Sequence, residues 1–210
     1  MSEETANSVS HGVGLVASAA VMPVMILAAL ARHDPWQVGA AVVFGISLML
    51  LYGASTCYHA LPQCEAKRIL RIIDHSAIYV LIAGTYTPFA LVVFEGSLAQ
   101  AILIAVWAGA AAGLVLNLLW IDAPKWVTAI VYLVLGWVGV ITFPQMLSEG
   151  GVAVFVLVAV GGALYSLGAV AYATHRPNPA PGVLGYHEVF HLLVIGAAAA
   201  QYVAVSLAVL

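Results

Sequence analysis

The stretch "GVGLVASAAVMPVMILAALA" (Gly12 to Ala31) runs without a formally charged side chain until "RHDP" (Arg32 to Pro35) ends it. A membrane-crossing helix needs about 20 mostly apolar residues. Lipid cannot hydrogen-bond to backbone N–H and C=O groups, so such a run must close its own bonds as a helix. Seven runs of this kind can be marked, at about 9–31, 36–61, 71–94, 98–120, 126–147, 151–173 and 186–209. "PQCEAKR", "EGS", "DAPK" and "THRPNPAPG" separate several of them. The composition agrees. Of 210 residues, 64% are hydrophobic and 7% charged, against about 25% charged in soluble domains. The expected fold class is therefore an all-α integral membrane protein, one seven-transmembrane helix bundle over residues 1–210 with no soluble domain and no strong internal repeat.

Orientation follows from lysines and arginines in the linkers. Lys67, Arg68, Arg71, Lys125 and Arg176 fall on the face that also carries the N-terminus, and Arg32 falls on the other. This puts the N-terminus in the cytoplasm and the C-terminus outside in a multi-pass membrane protein. "MSEETANSVSHG" has no Lys or Arg and so lacks the basic start of a signal peptide. With so few charges there is no basic patch for nucleic acid. Cys57 and Cys64 are expected as reduced thiols, because a continuous helix would hold them about 10 Å apart.

Polar side chains gather in one layer. His11, His59, His75, His175, His187 and His191 all fall on the cytoplasmic half, with Glu4, Asn7, Ser55, Asp74 and Glu188. Ionisable groups at membrane depth are costly, so such a cluster points to function. His187 and His191 are four residues apart and share a helix face, as do Ser55 and His59. A catalytic zinc takes three protein ligands and one water. His59, His187 and His191 are the candidate ligands. Asp74 is the candidate acceptor for the water, and Ser55 can hydrogen-bond beside it. His11, Glu4, Asn7, His75 and Glu188 are candidates for supporting hydrogen bonds that fix ligand orientation.

Plainer readings compete. Arg71 and Asp74, three apart, could form an interfacial ion pair. His75 could be polar only because it sits near a helix end. His33 and His175 read as loop residues. Tryptophans and tyrosines near span ends read as interfacial anchors. "AGAAAG" (Ala108 to Gly113) reads as a close-packing surface. Pro23, Pro88 and Pro144 should kink their helices.

"GYHEVFHLLV" (Gly185 to Val194) contains a literal H-E-x-x-H, the signature of soluble zinc proteases. Here it opens the seventh span, and its best third ligand, His59, lies far upstream. The motif therefore reads as H-x-x-x-H. Glu188 could face the cavity, pair with a buried group such as His11, or meet the headgroups.

Four segments together resemble the hemolysin III family, the bacterial branch of the progestin and adipoQ receptor group within a ceramidase-like superfamily of membrane hydrolases. They are "EETANSVSHGVG", "STCYH", "RIIDHSAIYVLIAGTYTPF" and "GYHEVFHLLV". The resemblance covers most of the chain. It implies a seven-helix bundle in the bacterial inner (plasma) membrane with zinc near the cytoplasmic face, held by His59, His187 and His191, with Asp74 near the bound water. It also implies zinc-dependent hydrolysis of a lipid amide, in membrane lipid or energy homeostasis. The long N-terminal extension of the animal receptors is not in the sequence, so hormone binding is not expected. A membrane lipid is the expected substrate or ligand. Two other functions compete with the enzyme: a membrane-state sensor in which zinc is a structural staple, and a proton pathway. The outer half of the spans is almost bare of ionisable groups, which weighs against a pathway. The sequence leaves the oligomeric state open.

Overall fold

The computed structural model describes residues 3–182 and 184–210. Its helices are α1 (Glu3–Ala31), α2 (Pro35–Ala60), α3 (Glu65–Val92), α4 (Gly96–Leu119), α5 (Lys125–Gly136), the one-turn α6 (Phe143–Gln145), α7 (Gly151–Thr174) and α8 (Tyr186–Val209). No strand occurs among the described residues, only one bridge between Ala180 and Leu184. Six helical stretches are long and apolar enough to cross a membrane: α1, α2, α3, α4, the stretch Lys125–Thr174, and α8.

The stretch Lys125–Thr174 has 50 residues. As one straight helix it would reach about 75 Å, more than twice the hydrocarbon core. It doubles back instead. The Lys125 ammonium lies over the Tyr172 ring, Trp137 Nε1 donates to Ser166 Oγ, and the Phe143 and Phe155 rings meet edge to face, which is an antiparallel register. After Gly136 the chain tightens into a 3₁₀ turn (Val138–Thr142), passes through α6 and a π turn (Met146–Gly150), and reverses at Gly151. The reversal needs φ +80° at Gly151, a conformation only glycine adopts cheaply. Tyr86 anchors the break, its hydroxyl donating to the Gly136 carbonyl and accepting from the Gly139 N–H. The run expected as one helix over about 126–147 is thus regular only to Gly136.

The prolines differ in effect. Pro144 sits in the first turn of α6, within the break. Pro23 and Pro88 lie inside α1 and α3, which stay helical through them. Pro88 offers no N–H to the Gly84 carbonyl. Nearby, Thr85 and Thr87 hydroxyls bond back to the Leu81 and Ala83 carbonyls.

The outer surface of the bundle is apolar, and its interior combines an apolar core with buried polar groups. α1 buries Asn7, His11, Gly14, Ser18, Met22, Met25 and Ala29 on one face, while Val13, Val16, Val24 and Leu27 project outward. Val16 is 71% exposed and Leu119 of α4 is 82% exposed. Water would penalise that surface; lipid does not. Between α2 and α3 the backbones come close. A Cβ on Gly84 would lie 2.2 Å from Ser47 Oγ, so the contact requires glycine.

Two helices begin earlier than hydropathy indicated. α1 starts at Glu3 rather than about 9, and α3 at Glu65 rather than about 71. Helix formation needs satisfied backbone bonds, not an apolar side chain, so polar turns extend past the apolar run. Those added turns carry Glu4, Asn7 and Lys67 into the site. Cys57 and Cys64 are free thiols, one on α2 and the other just before α3, so the continuous helix assumed between them is absent.

Candidate metal centre

Three imidazoles meet at the end of the bundle where α1 begins. His59 comes from the last turn of α2, and His187 and His191 from the first turns of α8. One nitrogen from each lies within 4.8 Å of the other two. The Nε2 atoms of His59 and His187 are 3.3 Å apart. Tetrahedral ligands at metal–nitrogen distances of 2.0–2.1 Å sit about 3.3 Å from one another. The spacing therefore suits a single metal ion between the rings.

The opposite edges of two rings are occupied. His59 Nδ1 lies 2.9 Å from Glu4 Oε2, and His191 Nδ1 lies 3.5 Å from Ser10 Oγ. A carboxylate on Nδ1 fixes the tautomer that leaves Nε2 free as a ligand. Glu4 is held in turn by Lys67, whose ammonium donates to Glu4 Oε2 at 3.2 Å and to the Leu61 carbonyl at 3.0 Å. Lys67 is only 5% exposed. Burial of a lysine is tolerated here because its charge meets a carboxylate and its N–H groups meet oxygens.

Asp74 and His75 enter from α3. Asp74 is buried, and its Oδ2 lies 3.4 Å from His75 Nδ1. His75 Nε2 faces the Tyr172 hydroxyl at 3.3 Å, and Tyr132 donates to the His75 carbonyl at 2.9 Å. Arg71 does not pair with Asp74. It reaches instead to the α4–α5 linker, meeting Asp122 at 3.0 Å and the Ile121 carbonyl at 2.8 Å. This leaves Asp74 without a permanent arginine partner.

Ser55 and His11 complete the wall. The Ser55 hydroxyl and both His11 ring nitrogens are buried and have no hydrogen-bond partner among the described residues. The His11 ring stacks on His191 at 3.7 Å between centroids. Glu188 turns away from the histidines. Its Oε1 accepts from Asn7 Nδ2 at 2.6 Å and its Oε2 from the Gly185 N–H at 2.7 Å. It caps its own helix and ties that helix to α1. The buried group that Glu188 meets is Asn7, not His11 as the sequence suggested.

Two spaces meet here. A cavity of about 160 Å³ runs into the bundle, polar at His11, Ser55, Asp74 and His191 and apolar toward Phe89, Val140 and Met146. A second, open space on the other side of His59 and His187 is bounded by Glu4, Tyr58, Lys125, Tyr172 and Tyr186. The site thus has an apolar side and a polar mouth.

Every residue expected around the metal lies at this end, with Ser10, Lys67, Tyr132 and Tyr172 added. Ser10 was findable in principle, because it lies three residues after Asn7. Lys67 read only as a charge for orientation, and the tyrosines only as membrane anchors.

The sequence matches the model of the family described as haemolysin-III related over residues 1–202. It is similar to a hemolysin-3 homolog of Bacillus subtilis (strain 168), at 36% identity over 200 residues, covering 95% of this chain and 91% of that protein. Hemolysin-3 of Bacillus cereus is 31% identical over 200 residues, with 95% and 89% covered. The human monocyte to macrophage differentiation factor is more distant, at 28% identity over 214 residues, with 97% and 83% covered. The chain is a multi-pass membrane protein of the haemolysin-III-related family.

Proposed function

We propose that this protein is a zinc-dependent hydrolase of a lipid amide, with His59, His187 and His191 as the zinc ligands. The observation that carries the reading is the set of three converging imidazoles beside a buried aspartate, between an apolar cavity and a polar mouth. Three histidine ligands leave a tetrahedral ion one open position, as in catalytic rather than closed structural sites. The proposed setting is seven passes of one domain through the bacterial inner membrane, with the site at the cytoplasmic end. The doubled-back stretch Lys125–Thr174 supports the seventh pass, and the linker lysines and arginines support the orientation.

Zinc bound there would supply a Lewis acid and bring the pKa of water to about 7. The protein's own groups do the rest. Asp74 orients the attacking water and takes its proton. His75 stands beside the Asp74 carboxylate, and Tyr172 and Tyr132 hold His75. Ser55 offers a hydroxyl to the acyl oxygen. The acyl chain lies along the apolar cavity. The water oxygen bonds to the acyl carbon, the carbon–nitrogen bond breaks, and a proton passes to the leaving amine. The products are a fatty acid and an amine.

The test is metal analysis of protein purified without chelators, paired with fatty-acid release from a panel of acyl amides. One zinc per chain is expected, with release by wild type and none by Asp74→Asn. One zinc with no release from any lipid would move the assignment to a metal that only staples α2 to α8. No zinc would overturn both.

A further inference from the structure

We infer that the substrate carries an anionic headgroup, a carboxylate or a phosphate, and that Lys125 recognises it. This rests on the reading of the site as one for a lipid amide and names the headgroup.

Each charge at the polar mouth can be followed to its partner. Glu3 accepts from the Gly182 N–H at 3.2 Å. Glu4 is held by Lys67 and His59, Glu188 by Asn7 and Gly185, and Arg71 by Asp122. Lys125 differs from the other two cations. No carboxylate reaches its ammonium among the described residues, which instead donates to the Tyr186 hydroxyl. It sits 4.6 Å from the Tyr186 ring centroid and 5.0 Å from that of Tyr172.

An ammonium has three N–H groups, and one phenol takes one of them. The Tyr186 oxygen accepts from Lys125, so its own proton is free to donate. Two ammonium N–H groups and one phenol O–H can therefore converge on an anion in the mouth. The place is next to the reaction. Tyr186 precedes His187 in α8, and the Tyr172 and His187 ring centroids are 6.0 Å apart. A headgroup bound here is separated from the cleaved amide by only a few bonds. A neutral headgroup would leave the lysine without a countercharge; a carboxylate or phosphate forms a charge-assisted bond.

The probes are N-palmitoylglycine, which is anionic, and N-palmitoylethanolamine, which is neutral. Binding of each is measured to the full-length, zinc-loaded protein in phosphatidylcholine nanodiscs, with zinc content recorded for every variant. The anionic lipid should bind about tenfold more tightly. Lys125→Gln should bring that ratio close to one, and Lys125→Arg should keep most of it. Arg32→Gln, beyond the far end of α1, should keep the wild-type ratio. Equal binding of the two lipids by wild type, or an unchanged ratio in Lys125→Gln with normal zinc content, would overturn the inference. Displacement of the anionic lipid by inorganic phosphate at equal concentration would also overturn it, because a free anion would then suffice. Selective binding without hydrolysis of either probe would sink the hydrolase reading and leave the headgroup assignment standing.

Discussion

The two ends of this bundle are built on different rules, and α1 shows both. Its first turns bury Asn7 and His11; its last turns bury Met22, Met25 and Ala29 on the same face. The partner helices change in step. α8 begins with buried Glu188 and His191 and finishes with Ala204, Val205 and Val209. At the far end, cohesion comes from close packing of small and flexible apolar side chains, which needs fit but no particular chemistry. At the site end the interior is polar, and Asn7, Lys67 and Glu188 are held there by specific hydrogen bonds, because an unpaired polar group is costly in a low-dielectric interior. The far end should therefore tolerate changes of identity that keep volume. The site end should tolerate changes of volume less well than its size suggests, and changes of chemistry hardly at all.

The largest effect that would sharpen this contrast is loss of the metal. His59→Ala, His187→Ala and His191→Ala should each abolish stable zinc binding, read by metal analysis; three variants with wild-type zinc would dissolve the proposed ligand set. Next comes Asp74→Asn, expected to lower fatty-acid release by about 10²–10⁴-fold while zinc is retained. Normal turnover in that variant would remove Asp74 from its proposed role. Glu4→Gln should weaken zinc affinity by about 10–100-fold in a chelator competition, since it loosens His59 without removing a ligand. Unaltered affinity would mean that the Glu4–His59 contact has no bearing on the metal. At the packed part of the bundle, Gly84→Val should cost about 1–3 kcal/mol through overpacking against Ser47. A lowered unfolding temperature with full zinc content in the folded fraction is the expected pattern. Lost zinc at unchanged stability would break the division between the two ends.

Much of this was legible in the sequence because two of its signals are nearly independent of context. A run of about 20 apolar residues has few fates other than a spanning helix, and His187 and His191, four apart, share a face in any α-helix. His59 could be added because the alternation of spans returns the end of α2 to the same side as the start of α8. Other features were hidden for physical reasons. Hydropathy marks where lipid begins, not where a helix begins, so the polar first turns of α1 and α3 were missed. The burial of Lys67 depends on Glu4, sixty-three positions away, and no local pattern encodes such a pair. Tyr132 and Tyr172 look like interfacial tyrosines until their hydroxyls are seen on His75. The break after Gly136 was hidden by uniform hydropathy, although Gly136, Gly139, Pro144 and Gly150–Gly151 were all in view. The choice of Asn7 as the partner of Glu188 was likewise not derivable, because several nearby groups could have served.

The hydrogen bond from Asn7 to Glu188 joins α1 to α8 across 181 positions of sequence. Until α8 is made, Asn7 and Ser10 lack their α8 partners, and His59 is a single imidazole. The cluster of three histidines therefore comes into being only when α8 joins the bundle. A chain that has not yet made α8 therefore offers no tight metal trap, and its Asn7 lacks the carboxylate that it meets in the folded molecule.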